Sequence, residues 1–137
     1  MKTDCPLTKE EIQTLLRQAR EARTQSYSPY SHYPVGAAAL TEEGSVFQGC
    51  NVENTSYPAG FCAEQNAIGS AVVAGQRCFR AIAVVGEEER ETRPCGICLQ
   101  VLAEFRVPYV VCGTKQGYRV YSLEELLPYA FHLGSRD

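Results

Sequence analysis

The chain has 137 residues, a hydrophobic fraction of 45% and a formal net charge of −3. This length and apolar content suit one globular domain with a full core, so we expect residues 1–137 to form a single domain. The sequence has no basic stripe of the kind that grips nucleic-acid phosphates, and its apolar runs are too short to cross a bilayer.

Four helices are predicted from capping signals and from the helical spacing of apolar residues. Thr8 with Glu11 forms a capping box, and Ser122 with Glu125 forms a second one. A run of alanines at helical spacing stops at Gly75, which favours a helix end there. The predicted helices are 9–23, 62–74, 95–105 and a short one from 122 to 127.

Five strands are predicted between these helices. They cover 35–41, 46–50, 79–85, 107–112 and 118–121. The last two are separated by five residues, too few for a parallel crossover, so if they pair they must pair antiparallel. The segment 26–34 holds two prolines and three tyrosines and is expected to be an ordered loop. Strands that alternate with helices predict one layered α/β domain.

Two short stretches, Cys-Ala-Glu and Pro-Cys-Gly-Ile-Cys, predict a metal site. Cys62, Cys95 and Cys98 lie at two predicted helix starts, where unpaired N–H groups and the helix dipole stabilise thiolates. A structural zinc has four protein ligands, whereas a catalytic zinc keeps one position for water. No fourth ligand of matching quality is near in sequence, and Glu64 could move protons to and from water at that open position.

Other readings of the cysteines stay open. The Cys-x-x-Cys pair alone would also fit a redox motif or half of a zinc ribbon, and its combination with Cys62 and Glu64 favours the catalytic site. Seven cysteines without an export signal favour free thiols and metal ligation over disulfides, which predicts a cytoplasmic protein. The remaining cysteines are interpreted as small apolar fillers: Cys5, Cys50, Cys78 and Cys112.

Cys-x-Glu followed by Pro-Cys-x-x-Cys matches the signature described for zinc deaminases. Nearly the whole chain resembles the small, homotetrameric class of cytidine deaminases. The resemblance is carried by 30–38, 49–54, 62–64, 94–98 and 124–128. It implies a three-layer α/β/α fold with a five-stranded mixed sheet whose last strand is antiparallel. It also implies one zinc per subunit and the hydrolysis of cytidine and deoxycytidine to uridine and deoxyuridine, with release of ammonia, in pyrimidine salvage.

The resemblance further implies a role for individual residues. The zinc ligands would be Cys62, Cys95 and Cys98, and Glu64 would take a proton from water, protonate the ring nitrogen and help ammonia leave. Substrate contacts would come from Asn51 and Glu53 on the ribose, the backbone of Ala63 on the base, Tyr33 near the substrate, and Tyr57 and Phe131 across subunits. An amide and a carboxylate can bind vicinal hydroxyls, although a polar turn after a strand would look the same. The two aromatics Tyr33 and Phe131 would equally suit a core.

Two positions depart from the family pattern. Relatives with three cysteine ligands usually carry arginine after the catalytic glutamate and after the last ligand cysteine, where this chain has Gln65 and Leu99. A divalent zinc with three thiolates carries net negative charge, so we expect a more electron-rich zinc and a shifted pH optimum. Helix N-termini and the Gln65 amide would compensate partly. Arg93 is a candidate replacement, although a solvated loop arginine would look the same.

Three alternatives accompany the leading interpretation. The same chemistry could act on a modified cytosine nucleoside or a blasticidin-type antibiotic, although the Asn51 and Glu53 pair favours plain nucleosides. A non-catalytic, zinc-stabilised domain would keep its fold and metal after Glu64→Ala and would have no turnover to lose. A polynucleotide editor is disfavoured by the charge balance and by the lack of room for a helix before the last strand.

Overall fold

The computed structural model describes residues 7–133 and contains the predicted helices and strands in the predicted order. The helices are α1 (Lys9–Arg23), α2 (Ala63–Val73), α3 (Gly96–Glu104) and α4 (Leu123–Leu126). The strands are β1 (Gly36–Thr41), β2 (Val46–Cys50), β3 (Phe79–Val85), β4 (Tyr109–Thr114) and β5 (Gly117–Ser122). None of the helices within 7–133 is long and apolar enough to span a membrane.

The five strands form one mixed sheet in the order β2-β1-β3-β4-β5. The two central strands, β3 and β4, pair in parallel, and the other neighbours pair antiparallel. Only Lys115 and Gln116 separate β4 from β5, which confirms that the short connection forces an antiparallel last strand. The mixed five-stranded α/β fold expected from the sequence is confirmed.

Helices cover both faces of the sheet. Ala37 and Ala39 point to the face covered by α2 and α3, whereas Ala38 and Leu40 point to the face covered by α1. A strand that is buried on both faces reads as a continuous apolar run, which explains why β1 shows no alternation of polar residues. The alanines also allow the helices to approach the sheet closely.

Gly49 on β2 sets how closely this strand approaches the start of α2. A Cβ atom at this position would lie 2.3 Å from the carbonyl oxygen of Ala63 and 2.4 Å from the backbone nitrogen of Ala67. Since only glycine avoids that collision, the strand can support the helix turn that carries the predicted site.

The fourth strand begins two residues later than the predicted range 107–112. The N–H of Val107 donates to the carbonyl of Leu102 at 3.1 Å and so serves to close α3. Pro108 has no N–H to give to a ladder, and strand pairing therefore begins at Tyr109.

The cysteines interpreted as apolar fillers differ from one another. Cys112 is buried, Cys50 is partly buried and Cys78 is exposed. The prediction for Cys78 is wrong because it precedes Phe79, which points into the core, and successive residues of an extended chain point to opposite sides. Cys5 lies outside the described residues.

Candidate active site

The three predicted ligand cysteines meet at the starts of two helices. Cys62 is the N-cap of α2 (φ −80°, ψ 159°) and Cys95 is the N-cap of α3 (φ −73°, ψ 174°), while Cys98 lies in the first turn of α3. Their Sγ atoms all lie within 4.8 Å of one another. The convergence expected from the sequence is therefore present, with both helix N-termini directed at the sulfur cluster.

The sulfur cluster fits a zinc ion. Tetrahedral Zn–S bonds of about 2.3 Å separate two sulfurs by roughly 3.8 Å, so a triangle no wider than 4.8 Å needs an adjustment of at most about 1 Å. Within residues 7–133 the cluster has three members. Three cysteines without a fourth ligand among the described residues match the donor set of a catalytic zinc centre, and two of them, Cys62 and Cys95, line a pocket.

The pKa values of Cys62 and Cys98 are shifted in opposite directions. The hydrogen bond from Cys98 lowers the pKa of Cys62 to about 7, and Cys95 acts in the same direction. That bond, together with burial and the nearby negative charges, raises the pKa of Cys98. A thiol that ligates a metal gives up its proton outright, so Cys62 is prepared for ligation at neutral pH and Cys98 depends on the cation.

Glu64 lies beside the sulfurs and is almost fully buried, with 4% of its surface exposed. Its Oε1 lies 3.5 Å from the sulfur of Cys98. Burial raises the pKa of the Glu64 carboxyl above its ordinary value, because the charged form loses its hydration. A carboxyl whose pKa is raised holds a proton more readily than an exposed one, which suits a general acid–base group.

Backbone and side-chain hydrogen bonds hold the start of α2 in position. The N–H of Cys62 donates to Oε1 of Gln65 at 2.8 Å, which places Gln65 in the glutamine position of a capping box. The preceding residue, Phe61, exchanges two backbone hydrogen bonds of 2.9 Å with Val52. Gln65 therefore orients the backbone of a ligand, a role that the Cys-x-x-Gln spacing signalled and that sequence reasoning missed.

The start of α3 has a different environment. Cys95 and Ile97 are exposed, and the cation just before them, Arg93, contacts groups other than the sulfurs. Its Nη1 lies 3.3 Å from Oε2 of Glu91 and 3.4 Å from the hydroxyl of Tyr121. Arg93 was a candidate counter-charge for the thiolates, and the structure instead places its charge on Glu91.

Cys62, Cys95 and Glu64 are among the residues that line a pocket with a volume of about 810 Å³, within the usual range for small-molecule sites. Four of the predicted substrate-binding residues line it, namely Asn51, Glu53, Ala63 and Tyr57. Tyr33 does not line the pocket itself, but its hydroxyl lies 2.6 Å from Oγ1 of the lining residue Thr92. Phe131 is 69% exposed, and its carbonyl accepts a hydrogen bond from Gln100 at 2.9 Å.

Asn51 has a structural task in addition to any contact with substrate. Its Oδ1 accepts the N–H of Val35 at 3.0 Å and the hydroxyl of Ser26, and its Nδ2 donates to the carbonyl of Tyr33 at 3.0 Å. One N–H of the amide remains for a ligand. The polar-turn explanation of this residue and the ligand-binding explanation are therefore compatible.

Glu53 orders the same loop. One carboxylate oxygen accepts the N–H groups of Tyr30 at 2.9 Å and Ser31 at 3.1 Å, and the other accepts the hydroxyl of Ser31. The hydroxyl of Ser31 contributes most to lowering the pKa of Glu53. The carboxylate thus stays ionised at neutral pH and has lone pairs left to accept from sugar hydroxyls.

Known proteins agree with this geometry. The family model described as the cytidine and deoxycytidylate deaminase zinc-binding region matches residues 9–114. The chain is 42% identical over 124 residues to cytidine deaminase of Sporosarcina psychrophila, covering 88% of this chain and 91% of the relative. It is 44% identical over 122 residues to cytidine deaminase of Halalkalibacterium halodurans, covering 87% and 92%. The crystal structure of cytidine deaminase from Burkholderia pseudomallei superposes with a TM-score of 0.83 and 47% identity, over 91% of this chain and 100% of that one. The chain therefore belongs to the zinc-dependent cytidine and deoxycytidylate deaminase family.

Proposed function

We propose that this protein catalyses the hydrolytic deamination of cytidine and deoxycytidine to uridine and deoxyuridine, with release of ammonia. The observation that carries the proposal is a triangle of sulfurs within 4.8 Å of one another beside the buried carboxyl of Glu64, where Cys62, Cys95 and Glu64 line an open pocket. Relatives that match most of the chain and are named cytidine deaminases support the same activity.

The zinc would be held by Cys62, Cys95 and Cys98, and when bound it supplies a Lewis acid that makes water a nucleophile at neutral pH. Glu64 transfers the protons. Its carboxylate accepts a proton from the attacking water and delivers it to the ring nitrogen of cytosine. It then passes the second proton of that water to the exocyclic amine, which leaves as ammonia. Burial keeps bulk water away from this carboxyl and raises its pKa, which favours its protonated form in the steps where it donates.

The sugar and base would be bound at the other lining residues. We propose that the spare N–H of Asn51 and the free lone pairs of Glu53 hold the ribose hydroxyls. The backbone of Ala63, at the first turn of α2, would read the base. Tyr33 would act through Thr92, whose hydroxyl it fixes at the pocket wall.

We also propose a homotetramer. Three large aromatic side chains are more exposed than is usual on a monomer: Tyr57 at 76%, Phe61 at 56% and Phe131 at 69%. Tyr57 and Phe61 line the pocket mouth, so a neighbouring subunit seated there would complete the wall. Phe131 would enter the site of such a neighbour. Closed symmetric assemblies are the usual solution for homo-oligomers.

The proposed location is the cytoplasm, with residues 1–137 acting as one domain. All six cysteines within the described part of the chain are free thiols, and the reducing cytoplasm maintains thiols in that state.

The test is metal content and turnover measured on the same purified protein. We expect one zinc per chain by mass spectrometry and a fall in ultraviolet absorbance as cytidine or deoxycytidine is consumed. Glu64→Ala is the matched variant, and it should keep its zinc and lose turnover. A protein that carries zinc yet leaves cytidine, deoxycytidine and N4-substituted analogues unchanged would contradict the proposal and favour a zinc-stabilised domain without catalysis.

A further inference from the structure

The loop between β3 and α3 ends immediately before the ligand Cys95, and three side chains there form what we call the clamp: Glu91, Arg93 and Tyr121. Tyr121 belongs to β5 and the other two to the loop. The hydroxyl of Tyr121 donates to Oε2 of Glu91, and Nη1 of Arg93 lies 3.3 Å from that same oxygen. One carboxylate oxygen therefore receives both a hydroxyl and a guanidinium.

The ring of Tyr121 adds a second attachment. The guanidinium carbon of Arg93 lies 5.9 Å from the ring centroid, and that of Arg119 lies 5.0 Å from it. Both distances fall in the range of cation–π attraction. Arg93 thus contacts Tyr121 through the face of the ring as well as through the hydroxyl at 3.4 Å.

Tyr121 is a fixed point of the fold. It is 8% exposed, packs in the core under α2 and α3, and pairs with Val110 of the central strand β4. Glu91 is also largely covered, with 17% of its side chain exposed. The clamp therefore ties a loop residue two positions before Cys95 to the interior of the sheet.

The first turn of α3 lacks this kind of support from its own side chains. Cys95 is exposed, and Ile97 exposes 67% of its surface. Burial begins again only at Cys98, while Pro94, between the clamp and Cys95, is buried and has a fixed φ. The position of the Cys95 sulfur thus depends on what holds the loop in front of it.

We propose that Glu91, Arg93 and Tyr121 are positioning residues that hold the Cys95 end of the zinc site against the sheet. The proposal rests on the proposed function, since it concerns how the same metal site is built. None of the three touches a reacting atom in this role. They fix where a ligand backbone starts, and residues around metal ligands typically change metal affinity by about 10–100-fold.

The same loop and the same strand supply matched controls. Glu89 pairs with Lys115 at 2.6 Å, but the two side chains are 68% and 61% exposed, and such a pair contributes little. Tyr118 is a second tyrosine on β5 and is 37% exposed. Glu89→Gln and Tyr118→Phe thus make the same chemical changes as Glu91→Gln and Tyr121→Phe, outside the clamp.

The experiment measures metal affinity in the purified full chain. Zinc is replaced by Co²⁺, whose absorption reports thiolate ligation, and a chelator competes for it. We expect Tyr121→Phe and Glu91→Gln to weaken Co²⁺ binding about tenfold and to weaken the sulfur charge-transfer band, while the two controls match the wild type. Urea unfolding of the metal-free variants separates this effect from a general loss of stability.

Two results would reject the proposed role of the clamp, and only one of them would also reject the proposed function. If the wild type binds one metal and deaminates cytidine, while both clamp variants hold Co²⁺ as tightly as it does, the clamp is wrong and the proposed function stands. If the wild type itself gathers no metal, the clamp and the proposed function fail together.

Discussion

The helix start at Cys62 and the helix start at Cys95 have nearly the same backbone conformation and opposite surroundings. The α2 start is pressed against β2 at Gly49, and its next two residues, Ala63 and Glu64, are 1% and 4% exposed. At the α3 start, the residues from Cys95 to Ile97 are exposed. Cys62 is held by close packing of α2 on β2, whereas Cys95 is held by polar contacts of the loop that precedes it.

Because of this difference, the starts of α2 and α3 have different roles in the site. The buried start carries the acid–base group, whose raised pKa requires that water be excluded. The exposed start places Cys95 and Ile97 on the pocket wall while leaving both accessible to solvent. Damage at the first start should therefore affect chemistry and folding, whereas damage at the second should affect metal retention.

Glu64→Gln tests the chemical half of this contrast and should have the largest effect. The amide keeps the shape of the side chain but cannot carry protons, so we expect turnover to fall roughly 10³-fold while zinc content stays at one per chain. Cytidine absorbance assays and metal analysis on one preparation measure both. Turnover within a few-fold of the wild type would assign the proton transfers to another group.

Gly49→Ala tests the packing half. The added Cβ would meet the Ala63 carbonyl oxygen at 2.3 Å, so β2 and α2 must separate, at a cost of about 3 kcal/mol in the free energy of unfolding. Gly69→Ala, in the same helix with open space around it, is the control and should stabilise by about 0.5–1 kcal/mol. Urea denaturation of both variants measures the difference. Equal denaturation midpoints would show that the close approach at Gly49 does not contribute to the free energy of unfolding.

Glu88→Gln asks whether the loop before Cys95 is held locally or along its whole length. Glu88 pairs with Arg20 and Arg23 of α1, each at 2.8 Å, and not with the clamp residues. We expect a loss of about 1–3 kcal/mol in stability at pH 7, with the Co²⁺ affinity unchanged. A parallel loss of Co²⁺ affinity would mean that the loop acts as one unit.

The same variant has a predictable pH dependence. The hydrogen bond from Arg20 is the main cause of the lowered pKa of Glu88 in the folded protein. The stabilisation is therefore complete above the ordinary carboxyl pKa of roughly 4.3 and is lost as the pH falls through the lower folded value. Stability curves of wild type and Glu88→Gln should converge as the pH falls through that lowered folded pKa.

Gln65→Arg should have the smallest effect and sharpens the question of charge at the α2 start. Arginine cannot accept the N–H of Cys62, so we expect about 1 kcal/mol of lost capping energy. Its positive charge favours ionised groups nearby, so the acidic limb of the pH–rate profile should move to lower pH. Gln65→Ala loses the cap without adding charge and separates the two effects. An acidic limb that stays in place would reject the idea that the thiolates lack a counter-charge.

Most of the fold followed from local signals. The capping boxes at Thr8 and Ser122 begin helices where expected, and the short connection after β4 produced the antiparallel last strand. The ligand cysteines were predictable because their spacing and their places at helix starts are themselves local features. In each case the sequence within a few residues contains the cause.

What could not be predicted depends on distant partners. Glu91 and Tyr121 are 30 residues apart, and no pattern near either one indicates their contact. The guanidinium of Arg93 had an obvious electrostatic use at the thiolates, yet in the fold it contacts a carboxylate and an aromatic ring. The direction of a side chain in a loop is set by tertiary packing, which composition and spacing do not record.

The closeness of the three sulfurs has a consequence for handling the protein. A disulfide requires two sulfurs to approach to about 2.05 Å, so thiols gathered within 4.8 Å need little movement to join once a chelator has removed the cation. In air, oxygen would take two electrons and two protons from such a pair. Intact mass would then fall by about 2 Da for each bond formed, and added zinc would no longer restore the protein until a reductant had reopened the bond.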